Sequence, residues 1–212
     1  MRPNPATPAS TSAATLRFGA VATGAVLAAS AWAAGVPQAG VMFDDRLWRE
    51  EVVAQNEPWT EEGWYELSMA GDAVQVRAAR PPRAEEADPA MYVHIPGTAL
   101  REGVRINHLF AQKSLRPRAG QEYRFALGKT PFAFTVESSE QGTAYVISYG
   151  GATHRYLLGL PAAATQVHAV ADLDGDRQPD FLVEVGGEMF LLLSSQARPG
   201  TNLPSAQLWA AK

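Results

Sequence analysis

From about position 60 onward, apolar side chains recur at every second residue, the period of a β-strand with one buried face. Tyr65, Leu67 and Met69 share one face, Gly71-Asp72 reads as a turn, and Val74 and Val76 resume the alternation, which predicts a hairpin. Residues 79–90 (ARPPRAEEADPA) break the pattern with three prolines among mixed charges and read as an exposed loop or linker. Met91–Ile95 and Val104–Leu109 are short strand candidates, and a meander follows. Its strands carry Tyr123, Phe125 and Leu127 before Gly128-Lys129, then Phe132, Phe134 and Val136 before the turn at Ser138–Gly142. Tyr145, Ile147 and Tyr149 precede Gly150-Gly151, and Tyr156 and Leu158 run up to Pro161. Val167–Ala171, Phe181–Val185 and, after Gly186-Gly187, Met189–Leu193 complete the series. Short strands at this spacing predict an all-β fold: an antiparallel meander, a sandwich or a partial propeller. Only Asp44–Gln55, with Leu47 and Val52 as its apolar positions, reads as helix.

The front of the chain follows a different rule. Arg2 and Arg17 are the only charges before Asp44, and Phe18 to Ala31 (FGAVATGAVLAASA) is apolar and alanine-rich. Ala31 and Ala33 flank Trp32 in an A-x-A pattern, so residues 1–33 read as a signal peptide cleaved after Ala33. Twin arginines are absent, which favours the general secretory route. An uncleaved anchor is the competing reading, but the Ala/Gly content and Pro37 leave the span weakly hydrophobic. The expectation is a periplasmic or secreted protein with no stable membrane insertion after cleavage. Its parts are an N-terminal segment over 34–90, containing the hairpin and the Pro-rich linker, and a β domain over 91–212.

Composition narrows the partners. The 212 residues carry a formal charge of −4, and removing Arg2 and Arg17 from the 18 basic residues takes it to −6. Such a surface does not neutralise phosphates wholesale, so nucleic acid is excluded as a general partner. There is no Cys, which rules out disulfides, thiolate metal sites and a cysteine nucleophile. An exported fold without these must rest on its core, with or without help from a hard metal ion.

One segment carries specific chemistry. Asp172-Leu-Asp174-Gly-Asp176-Arg-Gln-Pro-Asp180 places four carboxylates at positions one, three, five and nine of a nine-residue loop. Ca²⁺ takes six to eight oxygens at about 2.3–2.6 Å, and this spacing lets a tight loop direct alternate side chains to one centre. Gln178, at position seven, would add its backbone carbonyl. Four carboxylates without an ion repel one another, so ion binding and local folding should be coupled. The non-metal reading is a set of Asx turns capping their own amides.

This loop resembles the calcium loop of FG-GAP or VCBS repeats, D-x-[DN]-G-D-x-x-x-D followed by an apolar strand. Asp172, Asp174, Gly175, Asp176, Asp180 and Phe181-Leu182-Val183 match it, over a repeat-sized stretch from Gln166 to Ala210. The departure is Arg177, where family members commonly carry Gly at a sharp backbone turn. The resemblance implies a blade-like calcium-loop hairpin near the C-terminus, with Asp172, Asp174, Asp176, Gln178 and Asp180 around one structural Ca²⁺. No other acidic loop repeats it, and Val183 at position twelve excludes an EF-hand.

Other candidates are weaker. His94, His108, His154 and His168 have no metal-ligand spacing, and Ser194-Ser195 has no nucleophile elbow around it. Lys113–Arg118 (KSLRPR) is a small basic patch that reads as a solvated loop, with an acidic envelope polymer as the alternative partner. Trp48, Trp59 and Trp64 read as core residues or as a sugar-stacking platform. The functional expectation is an exported non-catalytic β protein acting on an envelope component as an interaction or structural module. The alternatives are an envelope hydrolase or carbohydrate-active enzyme drawing on Glu137, Glu140 or the acidic loop, and a sugar-binding module.

Overall fold

Alternating aromatics and Gly-containing turns produce the expected hairpins, and the computed structural model arranges them in two sheets. It describes residues 39–50, 63–80, 90–109, 114–140, 142–160 and 164–208. The expected signal peptide, residues 81–89 of the linker, Val52, Trp59 and Lys113 lie outside the described residues. Fourteen strands are described: β1 (Gly40–Asp44), β2 (Trp64–Ala70), β3 (Ala73–Ala78), β4 (Ala90–His94), β5 (Gly103–Ile106), β6 (Tyr123–Leu127), β7 (Thr130–Ser139), β8 (Gly142–Tyr149), β9 (Ala152–Leu157), β10 (Thr165–Ala171), β11 (Asp180–Val185), β12 (Glu188–Leu192), β13 (Gly200–Asn202) and β14 (Ala206–Leu208). The protein is all-β, as its two-residue periodicity requires.

The meander β6–β9 forms one sheet in the order β13-β9-β8-β7-β6, with β13 parallel to β9. The other nine strands follow the order β10-β11-β12-β14-β1-β4-β2-β3-β5. This second sheet curls until its two ends nearly meet. The residue that brings them together is Asn107, just past β5. Its N–H donates to the Asp72 carbonyl at 2.9 Å, its Nδ2 donates to the His168 carbonyl at 3.2 Å, and its Oδ1 accepts from Val170 N–H at 3.0 Å. His108 N–H adds a bond to the Val170 carbonyl at 2.8 Å. A side-chain amide thus replaces a strand ladder at the seam, where the two edge strands do not pair directly. Strands from both sides of the Pro-rich linker share this sheet, since β2 pairs with β4.

The strands β10–β12 lie between two cores. Phe181, Val183, Val185, Phe190 and Leu192 face the five-stranded sheet and pack with Phe132, Phe134, Tyr145 and Ile147. Phe181 meets Phe132 and Phe134 edge-on at 5.8 and 5.4 Å. Leu182, Leu191, Leu193 and Ala169 face the opposite way, into the curled sheet, beside Met42, Leu67, Val76 and Val93. Burial on both faces explains why these strands read as continuous apolar runs rather than as alternating ones. The strands expected as a blade-like hairpin therefore form, joined to the rest of the nine-stranded sheet through β14 and β1.

The expected helix is described over Asp45–Trp48 (α1), one turn, with Asp44 accepting from Leu47 N–H at 2.7 Å. Residues 51–62, including the last five residues of the expected helix, lie outside the described residues. Trp48 is fully buried, stacked on Tyr92 at 4.4 Å and tilted against Trp64 at 4.8 Å. At the start of β1, a Cβ on Gly40 would stand 2.6 Å from the His94 carbonyl oxygen, so only glycine lets β1 fit between its neighbours.

Candidate metal centre

The acidic loop connects β10 to β11 and folds on its own carboxylates. Asp172 Oδ1 accepts from Gly175 N–H at 2.8 Å, Asp174 Oδ1 from Asp176 N–H at 3.1 Å, and Asp176 Oδ1 from Gln178 N–H at 2.7 Å. These are the Asx turns considered from the sequence, and they use one oxygen of each aspartate. Ligand oxygens of Asp172, Asp174 and Asp176 lie within 4.8 Å of one another. Among the described residues this is the only group of three or more Asp, Glu or His side chains so placed.

Two further oxygens lack partners. Asp174 Oδ2 and Gln178 Oε1 are both buried without a hydrogen bond. A buried polar atom left unpaired costs about 1–3 kcal/mol, so such atoms are uncommon unless something absent from the protein chain satisfies them. A hard cation would supply that partner, and the donor set, all oxygen, has the chemistry Ca²⁺ prefers. The residues present fit such an ion. The sequence reading gave Gln178 a ligand role through its backbone carbonyl, whereas the unpartnered atom is its side-chain oxygen.

Asp180 stands apart from this trio. It is completely buried, and both its oxygens are committed: Oδ2 accepts from Leu173 N–H at 2.7 Å, while Oδ1 accepts from Ser194 N–H at 2.8 Å and Ser194 Oγ at 2.7 Å. Ser194 Oγ also lies 2.9 Å from Asp176 Oδ2. Burial raises the Asp180 carboxyl well above its ordinary range, and the nearby Asp174 charge adds to this, while its three donors pull the other way. Asp176 is raised as well, again chiefly by burial. Within the described geometry Asp180 anchors the loop to the turn at Ser194–Gln196.

That turn is itself held from the five-stranded sheet. Tyr156 donates to the Leu193 carbonyl at 3.0 Å and Tyr149 to the Ser194 carbonyl at 3.4 Å. On the opposite side, Arg101 N–H donates to the Leu173 carbonyl at 2.7 Å, and the Arg101 side chain crosses Gly175 so closely that a Cβ there would lie 2.9 Å from Arg101 Cδ. Arg177 has φ 65°, the only positive φ at a non-glycine among the described residues. The sharp turn at the sixth loop position is therefore made here by an arginine.

The remaining candidates fall elsewhere. His154 is buried, stacked on Tyr149 at 4.6 Å, with Nδ1 3.1 Å from the Arg198 carbonyl oxygen. His168 pairs with Glu184 at 2.8 Å, and His94 lies beside Trp64 at 5.3 Å. Burial lowers the His108 pKa. Glu137 is bound to Arg155 at 3.2 Å, and Glu140 sits exposed after β7. The burial of Trp48 removes it from any stacking platform. Among the described residues, no helix is long and apolar enough to cross a membrane.

Ser194 was missed as a site residue by sequence reasoning. It follows an apolar strand and has no nucleophile elbow around it, but a hydroxyl placed after a buried strand also serves as a donor to a buried carboxylate. Comparison of the chain with protein families, with curated proteins and with solved structures finds no match.

Proposed function

We propose that this is an exported, non-catalytic β protein in which one Ca²⁺ ion, held by the 172–180 loop, ties β10 to β11 and serves an interaction or structural role in the cell envelope. The observation that carries the ion is the convergence of Asp172, Asp174 and Asp176 within 4.8 Å, with Asp174 Oδ2 buried and without a partner. The role is structural because Asp172, Asp174 and Asp176 each spend one oxygen on folding the loop, and Asp180 fastens it to Ser194. Export rests on the apolar stretch Phe18–Ala31 and the A-x-A pattern at Ala31–Ala33.

Calcium should raise the melting temperature of the protein, and Asp174→Ala should abolish that rise. Identical melting curves in calcium and in chelator would overturn the reading. Intact mass of the exported form should correspond to a chain starting at Ala34, and retention of Met1 would contradict export by cleavage.

A further inference from the structure

Away from the acidic loop, a cavity of about 590 Å³ opens between the segment 114–119 and the five-stranded sheet. That size is within the range of small-molecule sites and exceeds what a bare ion needs. Arg116, Arg118, Ser138, Thr143 and Thr165 contribute its polar lining. The segment is fixed at both ends, by Leu115 pairing with Val167 and by Ala119 bridging to Val136. It is therefore built into the fold.

The cations in this cavity are exposed to solvent. Among the described residues neither Arg116 nor Arg118 has a carboxylate partner; Arg116 Nε donates only to Gln166 Oε1, at 3.2 Å. The neighbouring carboxylates are occupied or outside the lining: Glu137 is held by Arg155, Glu184 by His168, and Glu140 does not line the cavity. The Thr165 hydroxyl is spent on the Glu184 carbonyl and on Tyr145. Thr143 differs: it is 1% exposed, and its Oγ1 has no hydrogen-bond partner. Two exposed guanidiniums without a carboxylate partner, in a recess whose lining holds no carboxylate, form a donor-rich, acceptor-poor environment.

We infer that this cavity is a binding site for a phosphate-bearing anion. Arg presents a planar fork of donors that matches phosphate oxygens, and each charge-assisted bond is shorter and stronger than a neutral one. The overall negative charge does not oppose this, because exposed charges beyond about 8 Å are largely screened at physiological salt. The basic stretch that reads as a solvated loop in the sequence thereby acquires a concave wall and a specific ligand chemistry. The site shares no residue with the proposed calcium loop, so either can fail alone.

The test uses the exported form with calcium present. Titration with inorganic phosphate and with glycerol 3-phosphate, followed by calorimetry or amide chemical shifts, should give saturable binding. An Arg116→Gln/Arg118→Gln variant should weaken it at least tenfold with an unchanged melting temperature, and Arg155→Gln, outside the cavity, should not. Co-sedimentation with phosphatidylglycerol vesicles, against phosphatidylcholine alone, separates a lipid headgroup from a soluble ester as the source of the phosphate. Absence of saturable binding in every arm, or full affinity in the double arginine variant, overturns the assignment.

Discussion

Ser194 gives both its backbone N–H and its hydroxyl to a single oxygen of Asp180, at 2.8 and 2.7 Å, in a position closed to solvent. A buried carboxylate is tolerated only when its lone pairs are filled, and here Leu173 N–H fills the other oxygen. The acidic loop and the turn after β12 are therefore fastened at one point.

Asp180→Ala should strand the Leu173 and Ser194 N–H groups in the interior, the Ser194 hydroxyl keeping Asp176 as acceptor, and lower stability by about 3 kcal/mol, more than an exposed aspartate would. Chemical denaturation with chelator present measures this without any contribution from an ion. A loss below about 1 kcal/mol would show that the anchor is not structural.

Arg177→Gly should relieve the left-handed backbone at φ 65°. The expected gain is about 0.5–1 kcal/mol, because the greater freedom of glycine in the unfolded chain offsets part of the relief. Arg177→Val should destabilise, as a β-branched side chain tolerates this conformation worst. Thermal melts of the two variants should bracket the wild type.

The alkaline limit follows from Tyr149. Burial pushes its hydroxyl from 10.0 up to about 12, with its hydrogen bond to Tyr156 opposing and the loop aspartates adding to the rise. A phenol that ionises later in the folded state holds its proton while the unfolded chain releases it. The associated stability is fully present below pH 10 and is lost as pH climbs through 12. Burial raises Tyr145 and Tyr156 in the same direction. Denaturation midpoints should fall across this window, and Tyr149→Phe should make the fall shallower; a flat profile would contradict the burial.

At the seam of the curled sheet, Asn107→Ala removes the acceptor for Val170 N–H and should cost about 2 kcal/mol. Asn107→Asp keeps that acceptor but places an oxygen against the His168 carbonyl, and should also destabilise. Hydrogen exchange at Val170 should accelerate in the alanine variant more than at Phe134, which lies in the other sheet.

Much of this was legible in the residues. The alternation of Phe132, Phe134 and Val136 with Tyr145, Ile147 and Tyr149 determined the hairpins of β7 and β8, and the aspartate spacing located the acidic loop. Three strands were not foreseen. Gly40–Asp44 has a buried Met42 beside a buried Phe43, because both faces of β1 are covered, so no alternation marks it. Gly200–Asn202 and Ala206–Leu208 are three residues each, too short for any period to show. The contacts of Asp180 with Leu173 and Ser194 were equally hidden, since spacing along the chain says nothing of the donors that surround a side chain. Sheet order, set by contacts between distant segments, has no local signature at all.

Consider finally how β1 lies between β4 and β14, pairing in parallel with the latter through Gly40 and Ala206. The earliest described strand obtains one of its neighbours from the latest. A polypeptide emerging amino end first, from a ribosome or through a translocation pore, cannot finish its larger sheet until about 160 further residues have appeared. Until then β1 carries an unmatched edge, and a partner that shields it during transit would act on the route rather than on the finished molecule.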